Sequence, residues 1–340
     1  MFDVITIGST TRDAFFESDF TTIKWPKTPS RLAYVLPKGD KLEIKRAYFT
    51  VGGNAANGSV TFARQGFRVA AVGKIGDDAS GEEIKRKLAS EKVNTSLMAM
   101  ARNMPSAHSV LLLENAERTI LGYHGSSDTF AIRDLHLLKM KAKWWYMSLA
   151  GESDKMFLPL IKFARANKIA VAFNPSGHHL RHKRNDVLRS LKDISFLVLN
   201  DEEAGQITGI PWKYEKKVFK KLDKLMSPGI LAVTTGRMGV TVSDGKYVYK
   251  AGIFKERKLV DRTGAGDAFG SGFTAGLLLR GINAKNIGKA KSSDICYAIR
   301  LATANATSVV EKIGATEGII TREEFNMPRW KNLNITVKKI

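Results

Sequence analysis

The sequence of 340 residues has only one cysteine, Cys296, and no run of about 18 consecutive apolar residues. The single cysteine excludes an internal disulfide and fits a reducing compartment. The lack of a long apolar run excludes a membrane-spanning helix. The chain starts with MFDVITIGST, which carries Asp3 and no basic leader, so we expect a cytoplasmic protein without a membrane partner.

Three common motifs are also missing. The chain has no GxxxxGK followed by Ser or Thr, no GxGxxG after its first strand-like segment, and no GxSxG. The first absence excludes a P-loop enzyme. The other two disfavour a nicotinamide dehydrogenase and the usual hydrolase of α/β proteins.

The net charge is +21, from 54 lysines and arginines against 33 aspartates and glutamates. The basic residues are spread over nearly every segment and do not gather in one tail with interleaved aromatics. We interpret most of them as solvated surface, whose positive field would attract phosphorylated small molecules. We expect no specific nucleic-acid partner, although a nucleic-acid-binding protein stays an alternative.

Apolar runs alternate with amphipathic stretches along most of the chain. This alternation implies right-handed crossovers and a parallel sheet covered by helices on both faces. The sequence therefore predicts a doubly wound α/β fold with a mainly parallel central sheet. The predicted strands are 3–8, 68–73, 143–149, 169–174, 194–200 and 230–236, and the predicted helices include 54–66, 80–92 and 154–167.

Two regions interrupt the alternation. Residues 14–50 contain prolines and β-forming residues without a helical period, and residues 109–124 predict a hairpin that turns near Asn115 and Ala116. Both regions are candidates for a small β-rich lid over a ligand cleft, and the alternative is an edge extension without a catalytic part. The prediction is one domain over residues 1–340, with a lid from about 14–50 and 105–128.

The segment LVDRTGAGDAFGSGFTAGLLL, residues 259–279, places a glycine-rich turn before an apolar helix. Gly264, Ala265 and Gly266 leave the first backbone N–H groups of that helix uncovered, and these groups carry a partial positive charge. The turn is therefore a candidate anion hole. Asp267 would repel a resting phosphate, but it suits a general base that takes a proton from an attacking hydroxyl. The alternative is an ordinary turn with an aspartate favoured by the helix dipole.

Side chains suited to a hydroxyl-rich ligand occur at two strand ends. Asn54 and Asn57 in GGNAANG combine amide donors and acceptors with glycines that permit close backbone approach. Asp13 follows the first predicted strand and could accept hydrogen bonds from a sugar diol. The alternative for each of these residues is helix capping or turn formation.

The segment NDEEAGQITG, residues 200–209, spaces Asn200 and Glu203 by three at a predicted strand-to-helix junction. One carboxylate acting through water, with an asparagine nearby, suits Mg²⁺ bound to nucleotide phosphates. The competing interpretation is a capping box, in which Asn200 caps the helix and Glu203 reaches back.

The segment TTGRMGV, residues 234–240, also follows a predicted strand. Thr234, Gly236 and Gly239 could approach a nucleotide closely, or the segment could be a simple hairpin turn.

Three histidines cluster in GHHLRHK at positions 178, 179 and 182. Their spacing lacks a helical zinc pattern, and no cysteine completes the set, so we expect solvated surface and no zinc site.

Together, four blocks resemble the ribokinase-like (PfkB) carbohydrate kinases. They are GGNAANGSVTFARQGFRVAAVGKIGDDASG, NDEE, TTG and DRTGAGD, and they occur in the family's order over essentially the whole chain. One departure concerns Asn54, which stands where ribokinases usually carry a lysine. The long lid includes Trp25 and Tyr34, which could stack on a nucleobase or only pack the lid.

The resemblance implies roles for individual residues. Asp267 would be the base that activates the acceptor hydroxyl, and Gly264, Ala265 and Gly266 would form the anion hole. The implied ligand-binding positions are Asn200 and Glu203 for Mg²⁺ and phosphate, Thr234, Gly236 and, by its place in the TTGRMGV segment, Gly239 for the nucleotide, Asn305 for the adenine side, Asp13, Gly53 and Asn57 for the sugar, and Asp261 for K⁺.

The function that this resemblance implies is an ATP-dependent kinase for a hydroxymethyl group of a sugar or sugar-like substrate, with Mg²⁺. The alternatives are a ribonucleoside kinase of the adenosine type and a non-catalytic nucleotide-binding regulator. The β lid also forms a dimer clasp in some members of the family, which leaves a homodimer open.

Overall fold

A computed structural model describes residues 1–28, 30–114 and 117–340. The strands are β1 (Phe2–Gly8), β2 (Thr11–Glu17), β3 (Thr21–Lys24), β4 (Leu32–Val35), β5 (Arg46–Gly52), β6 (Val69–Val72), β7 (Lys74–Gly76), β8 (Ala99–Ala101), β9 (Ala107–Glu114), β10 (Glu117–Tyr123), β11 (Ala142–Ser148), β12 (Ala170–Phe173), β13 (Phe196–Asn200), β14 (Ile230–Thr234), β15 (Val240–Ser243), β16 (Tyr247–Ala251) and β17 (Ile335–Lys339). The helices are α1 (Asn54–Arg64), α2 (Ala79–Ser90), α3 (Phe157–Ala166), α4 (Gly177–Ser190), α5 (Asp201–Thr208), α6 (Glu215–Met226), α7 (Ala265–Leu279), α8 (Ser292–Val309) and α9 (Arg322–Phe325).

The central sheet has the strand order β17-β16-β15-β14-β13-β12-β11-β1-β6. The strands from β6 to β14 in this order run parallel, and β15, β16 and β17 extend the sheet antiparallel. The chain passes from β1 to β6 on one side and later builds from β11 to β14 on the other. This reversal makes the carboxyl ends of β1 and β11 a crevice where ligands of open α/β sheets bind.

The parallel strands are apolar on both faces because each face is covered by helices. Trp144 and Tyr146 of β11 pack in the core that contains α1, α7 and α8, whereas Trp145 and Met147 pack in the core that contains α3 to α6. Because both faces of each strand are buried, the strands are continuous apolar runs in the sequence and show no alternation of polar and apolar residues.

The lid is a separate sheet with the order β10-β9-β2-β5, and β3 and β4, which lie between β2 and β5 in the chain, form a two-stranded sheet of their own. The chain enters the lid directly after β1 and leaves it through β5 into α1. It returns through β9 and β10, which pair antiparallel as predicted. The predicted turn at Asn115 and Ala116 lies outside the described residues.

No helix among the described residues has the length and apolar content that crossing a bilayer requires. The described parts of the sheet and helices otherwise follow the doubly wound arrangement expected from the sequence.

Helices α7 and α8 pack closely because α7 carries small residues on its contact face. A Cβ atom added at Gly276 would lie 2.5 Å from Cα of Ala298, and one at Gly272 would lie 3.0 Å from Cα of Ala302. Since α7 also carries Asp267 in its first turn, this contact fixes the position of that carboxylate.

We predict that Gly276→Val lowers the free energy of unfolding by about 2 kcal/mol or more, because the added methyl groups force the helices apart. Urea unfolding of the purified protein measures this change. Gly252→Ala is the matched control, since nothing lies within 4 Å of the added Cβ and no positive φ strains it. Equal stability of the two variants would contradict the close packing.

Candidate active site

Asp267 lies at the centre of the site, where its carboxylate accepts hydrogen bonds from three asparagines. Asn54 Nδ2 and Asn174 Nδ2 lie 3.2 and 3.4 Å from Oδ1, and Asn57 Nδ2 lies 2.8 Å from Oδ2. We call Asn54, Asn57 and Asn174 the three-asparagine cluster. These neutral donors orient the carboxylate without neutralising its charge, and no lysine or arginine among the described residues forms a salt bridge with it.

Burial raises the pKa of Asp267 above the ordinary aspartate value, and the hydrogen bonds from Asn57 and Asn54 offset only part of this rise. A carboxylate with a raised pKa is a stronger proton acceptor than an exposed aspartate. The electrostatics of the site therefore suit proton abstraction.

The junction between the lid and α1 positions two of the three asparagines. Gly53 precedes α1 with a φ of 92°, and a Cβ there would lie 2.6 Å from the carbonyl oxygen of Ser9. Ser9 Oγ donates to Asn54 Oδ1 at 3.0 Å, which orients the amide so that its nitrogen faces Asp267. Only glycine fits this junction without strain.

Asn174 is a site residue that the sequence interpretation missed. It follows β12 directly, at the carboxyl edge of the sheet, and it reaches Asp267 from a different strand end than Asn54 and Asn57. The available signal was the asparagine that closes the apolar run IAVAFN.

The turn of residues 264–266, called the anion turn below, begins α7. Gly264 has a φ of 78°, and a Cβ there would lie 2.5 Å from Cβ of Ala315. The amide of Ala265 points to the carbonyl of Arg262 at a long 3.4 Å. The amides of Gly266 and Asp267 have no such acceptor among the described residues, as the start of a helix dictates. Uncovered N–H donors are thus placed beside the carboxylate of Asp267.

Two adjoining cavities meet at the anion turn. The larger cavity, of about 450 Å³, is mainly apolar and is lined by Gly236, Gly239, Phe269 and Thr307, among others. The smaller cavity, of about 250 Å³, is mainly polar and contains Asp267, Asn54, Asn174, Asn200, Glu203 and Arg118. Thr234, Arg262 and Gly266 line both cavities. A ligand in the larger cavity can therefore extend a charged end toward Asp267.

Asn200 and Glu203 form the capping box that was the competing prediction. Asn200 Oδ1 accepts from the amide of Glu203 at 2.7 Å, and Glu203 Oε2 accepts from the amide of Asn200 at 2.9 Å. Both side chains nevertheless line the smaller cavity, and burial raises the pKa of Glu203. Capping fixes these groups at the cavity wall, so the two interpretations are compatible.

Thr234, Gly236 and Gly239 line the larger cavity. Thr234 ends β14, and Gly236 and Gly239 belong to the connection between the antiparallel strands β14 and β15, so the segment is a hairpin turn that borders the cavity. Gly239 has a φ of 93°, and a Cβ there would lie 2.0 Å from the carbonyl oxygen of Ala251, so a side chain is excluded.

Asn305 is a correction to the sequence prediction, because its side chain does not line the larger cavity. It is buried, and its amide donates to the carbonyl of Ala268 at 2.9 Å and to Thr61 Oγ1 at 3.2 Å. Its oxygen accepts from the amide of Ile320 at 3.1 Å. The face of α8 that does line the cavity carries Thr303, Ala306 and Thr307. Asn305 therefore ties helices together behind the cavity wall.

Asp13 and Asp261 are both buried. Asp13 accepts from Thr11 Oγ1 at 2.7 Å, its pKa is raised by burial, and it lies directly against Gly52, next to Gly53. Asp261 accepts from the amide and hydroxyl of Thr263 at 2.9 and 2.6 Å, and from the amide of Gly314 at 3.2 Å. Asp261 thereby links the loop before the anion turn to the loop after α8.

The prediction that the histidine cluster is solvated surface is partly wrong. His179 is fully buried, with Nδ1 bound to Asp154 Oδ1 at 2.6 Å, while His178 Nδ1 lies 3.0 Å from the other oxygen of Asp154. His179 is thus a core residue and not solvated surface. Among the described residues, no group of three or more His, Cys, Asp or Glu could hold a metal ion.

Known proteins share this architecture over nearly its whole length. A profile described as pfkB family carbohydrate kinase matches residues 4–322. The ribokinase of Haemophilus influenzae is 28% identical over 305 residues, which cover 86% of this chain and 91% of that protein. The structure of Arabidopsis thaliana ribokinase complexed with ribose and ATP has a TM-score of 0.74 and 21% identity, covering 97% and 99% of the two chains. The Burkholderia thailandensis nucleoside kinase in complex with inosine has a TM-score of 0.71 and 16% identity, covering 95% and 96%.

These likenesses define a class of protein and then a family. The structural matches establish a ribokinase-like α/β fold with a separate small sheet, as the sequence predicted. The molecule is an ATP-dependent phosphotransferase for a sugar or a nucleoside. Because the profile spans nearly the whole sequence, the chain belongs to the pfkB family of carbohydrate kinases. The predictions of fold, family and enzyme class are confirmed.

We predict that Asn57→Ala raises the pKa of Asp267 further, since a hydrogen-bond donor to the charged form is lost. Carbon NMR of protein labelled at the aspartate carboxyls follows this titration, with Asp267→Asn used to assign the signal. Asn167→Ala is the control, because this exposed amide bonds only the carbonyl of Phe163 at 2.9 Å. An unchanged or lowered pKa in Asn57→Ala contradicts the assigned role of that hydrogen bond.

Proposed function

We propose that the enzyme transfers the γ-phosphoryl group of ATP to a hydroxymethyl group of a sugar or sugar-like molecule, with Asp267 as the base. The observation that carries this proposal is the pairing of Asp267 with the uncovered amides of Gly266 and Asp267 at the wall shared by two cavities. A proton acceptor and an anion hole must be adjacent for phosphoryl transfer to an alcohol.

In this mechanism the acceptor hydroxyl gives its proton to the Asp267 carboxylate as its oxygen attacks the γ-phosphorus. The bond from the γ-phosphorus to the β,γ-bridging oxygen breaks, and ADP leaves with that oxygen. The anion turn holds the charge on the transferred oxygens through backbone donors, which cost no reorganisation because the helix fixes them.

We assign ATP to the larger cavity, whose wall includes Thr234, Gly236 and Gly239. Glu203 would hold Mg²⁺ through water, because its Oε1 has no hydrogen-bond partner among the described residues. Asn200 Nδ2, which also has no acceptor there, would donate a hydrogen bond to a phosphate oxygen. A bound Mg²⁺ would neutralise charge on the phosphates. The absence of a larger acidic cluster in the described parts agrees with an ion held mainly by phosphates and water.

A K⁺ site near Asp261 is a separate proposal from the family resemblance. Asp261 is buried and organises two loops next to the anion turn, so a cation there would act on the turn indirectly. Turnover in potassium chloride compared with choline chloride tests it, and equal rates would remove the site.

We propose that Asp13, Gly53 and Asn57 hold the acceptor. Asp13 lies against the glycine pair, and Asn57 bonds Asp267, so the acceptor-holding positions adjoin the base. One related structure contains ribose and another contains inosine, so a sugar and a nucleoside are both candidate acceptors. We favour the sugar because the H. influenzae ribokinase matches at 86% coverage of this chain.

Coupled ADP release over ribose, fructose, keto-deoxy acids, hexose phosphates and nucleosides distinguishes these acceptors. Turnover on a nucleoside alone would establish the adenosine-type alternative, and no turnover on any acceptor would favour the non-catalytic regulator. We further propose that residues 1–340 act as one kinase domain and that the enzyme works in the cytoplasm, where ATP is available. Cell fractionation checks the location.

We predict that Asp267→Asn lowers turnover of the preferred acceptor by roughly two to four orders of magnitude, the usual contribution of a general base. ATP affinity, measured by calorimetry, stays nearly unchanged because the anion turn is intact. Asp19→Asn is the control, since Asp19 is an exposed lid carboxylate with only a salt bridge to Lys45. Near-normal turnover of Asp267→Asn would remove this residue from the mechanism.

We also propose a homodimer through the lid, because its edge strand β10 exposes Leu121 and Tyr123 by 55% and 52%. The double variant Leu121→Glu, Tyr123→Glu should run at half the mass of the parent in light scattering after gel filtration. Leu138→Glu is the control, since Leu138 is 82% exposed and lies outside the lid. A monomeric parent protein rules out the lid dimer.

A further inference from the structure

Tyr146 lies in the core beneath the site, and the mechanism above does not use it. It belongs to β11, and only 1% of its surface is exposed. Its hydroxyl is shut off from solvent and has no hydrogen-bond partner among the described residues. Burying a hydroxyl without a partner is costly, and a phenylalanine would fill the same space without that cost. The hydroxyl therefore has a role beyond packing.

Two glycines inside helices make room for Tyr146. A Cβ atom added at Gly58 of α1 would lie 3.1 Å from Cδ1 of the ring, and one at Gly270 of α7 would lie 2.6 Å from the hydroxyl oxygen. Glycine is less favourable than alanine inside a helix, so each of these positions gives up some helix stability. The ring and its oxygen are thus held between α1 and α7.

The register of the sheet places the hydroxyl beneath the base. Tyr146 pairs with Ala172 of β12, and the amide of Asn174 continues this pairing by donating to the carbonyl of Met147 at 2.9 Å. Residues two apart on a strand share a face, so Asn174 lies on the same face as Tyr146. Gly270 follows Asp267 by three residues, which is nearly one turn of α7. The hydroxyl therefore lies between Asn174 and the first turn of α7.

The surroundings of the hydroxyl make it a hydrogen-bond donor. Burial raises the pKa of Tyr146 well above its ordinary value, the charge of Asp267 raises it further, and the neighbouring Asn174 side chain lowers it only in part. The hydroxyl therefore keeps its proton. The groups that act on it are the base and one of the asparagines that hold the base.

Asn174 is the member of the three-asparagine cluster whose amide is least fixed. Its Nδ2 lies 3.4 Å from Asp267, which is the longest of the three contacts. Asn54 has a second tether, because Ser9 Oγ donates to its Oδ1 at 3.0 Å. The Tyr146 hydroxyl lies beside Asn174 and can supply the same kind of donor to that amide.

We propose that Tyr146 is a positioning residue for the base, whose hydroxyl donates a hydrogen bond to Oδ1 of Asn174 and thereby turns Nδ2 toward Asp267. This inference rests on the proposed phosphoryl transfer. An amide held at both ends keeps the carboxylate in the orientation in which it receives the proton of the acceptor hydroxyl.

The test compares Tyr146→Phe with Tyr249→Phe as the matched control. Tyr249 is also fully buried, but its hydroxyl bonds Asp244 and Ser292 at 2.9 and 3.0 Å, and it lines neither cavity. We expect Tyr146→Phe to lower kcat by about three- to tenfold, the contribution of one hydrogen bond. The KM values of ATP and acceptor should change less than about twofold, because the base acts in the transition state.

The pH profile of kcat is a readout that a merely structural residue does not move. In Tyr146→Phe the Asn174 amide is a weaker donor to the charged form of Asp267, so the pKa of Asp267 rises. Since the base must be deprotonated, its acid limb moves to higher pH and the loss of kcat is largest at low pH. Carbon NMR of the aspartate carboxyls follows the same shift without turnover. An unmoved limb and an unmoved Asp267 titration overturn the inference, even where kcat falls.

A double-mutant cycle tests whether the hydroxyl acts through the amide. Adding Tyr146→Phe to Asn174→Ala should cause little further loss of kcat, because the group that the hydroxyl orients is already gone. Fully additive losses overturn the inference in favour of a direct contact with Asp267.

Gly270→Ala reaches the hydroxyl from the other side. The added methyl group crowds the oxygen, so kcat should fall in the parent protein and much less in Tyr146→Phe, where the oxygen is absent. Equal losses in both backgrounds contradict the inference and leave the kinase assignment intact. A parent protein that is inactive on every acceptor refutes the proposed function, and the NMR titration of Asp267 then decides the role of Tyr146.

Discussion

The site depends on keeping a charged carboxylate in a buried position without giving it a cationic partner. A lysine or arginine against Asp267 would stabilise its charge and make it a weak base. The three-asparagine cluster instead supplies directional, neutral donors from the start of α1 and the end of β12, at 2.8 to 3.4 Å. Each of these elements must then be fixed with respect to the others, and the rest of the fold serves that requirement.

Three features of the fold fix these elements with respect to one another. The close contact between α7 and α8 fixes the helix that carries Asp267, and the buried amide of Asn305 connects that helix with α1 through Thr61. The parallel sheet aligns the end of β12, where Asn174 lies, with the start of α1. The lid then carries Asp13, the carboxylate proposed for the acceptor, on a separate sheet. Residues outside the two cavities therefore determine the geometry of those that line them.

Much of the fold was predictable from the sequence, because strands buried on both faces have to be apolar throughout and their ends need turn residues. The anion turn and Asp267 were predictable for a local reason, since backbone donors at a helix start do not depend on distant residues. Asn305 was placed wrongly because the block order does not say which face of α8 meets the cavity. Asn174 was missed because it meets Asp267 only when β12 and α7 come together in the fold, and no spacing along the chain encodes that contact.

The junction at Gly53 has an evolutionary consequence. The strand that ends there lies against the carboxylate assigned to the acceptor, and the helix that starts one residue later carries two of the amides that hold the base. Substrate selectivity and turnover rate would thus both depend on the backbone conformation at Gly53, and a mutation that changes this conformation would alter both.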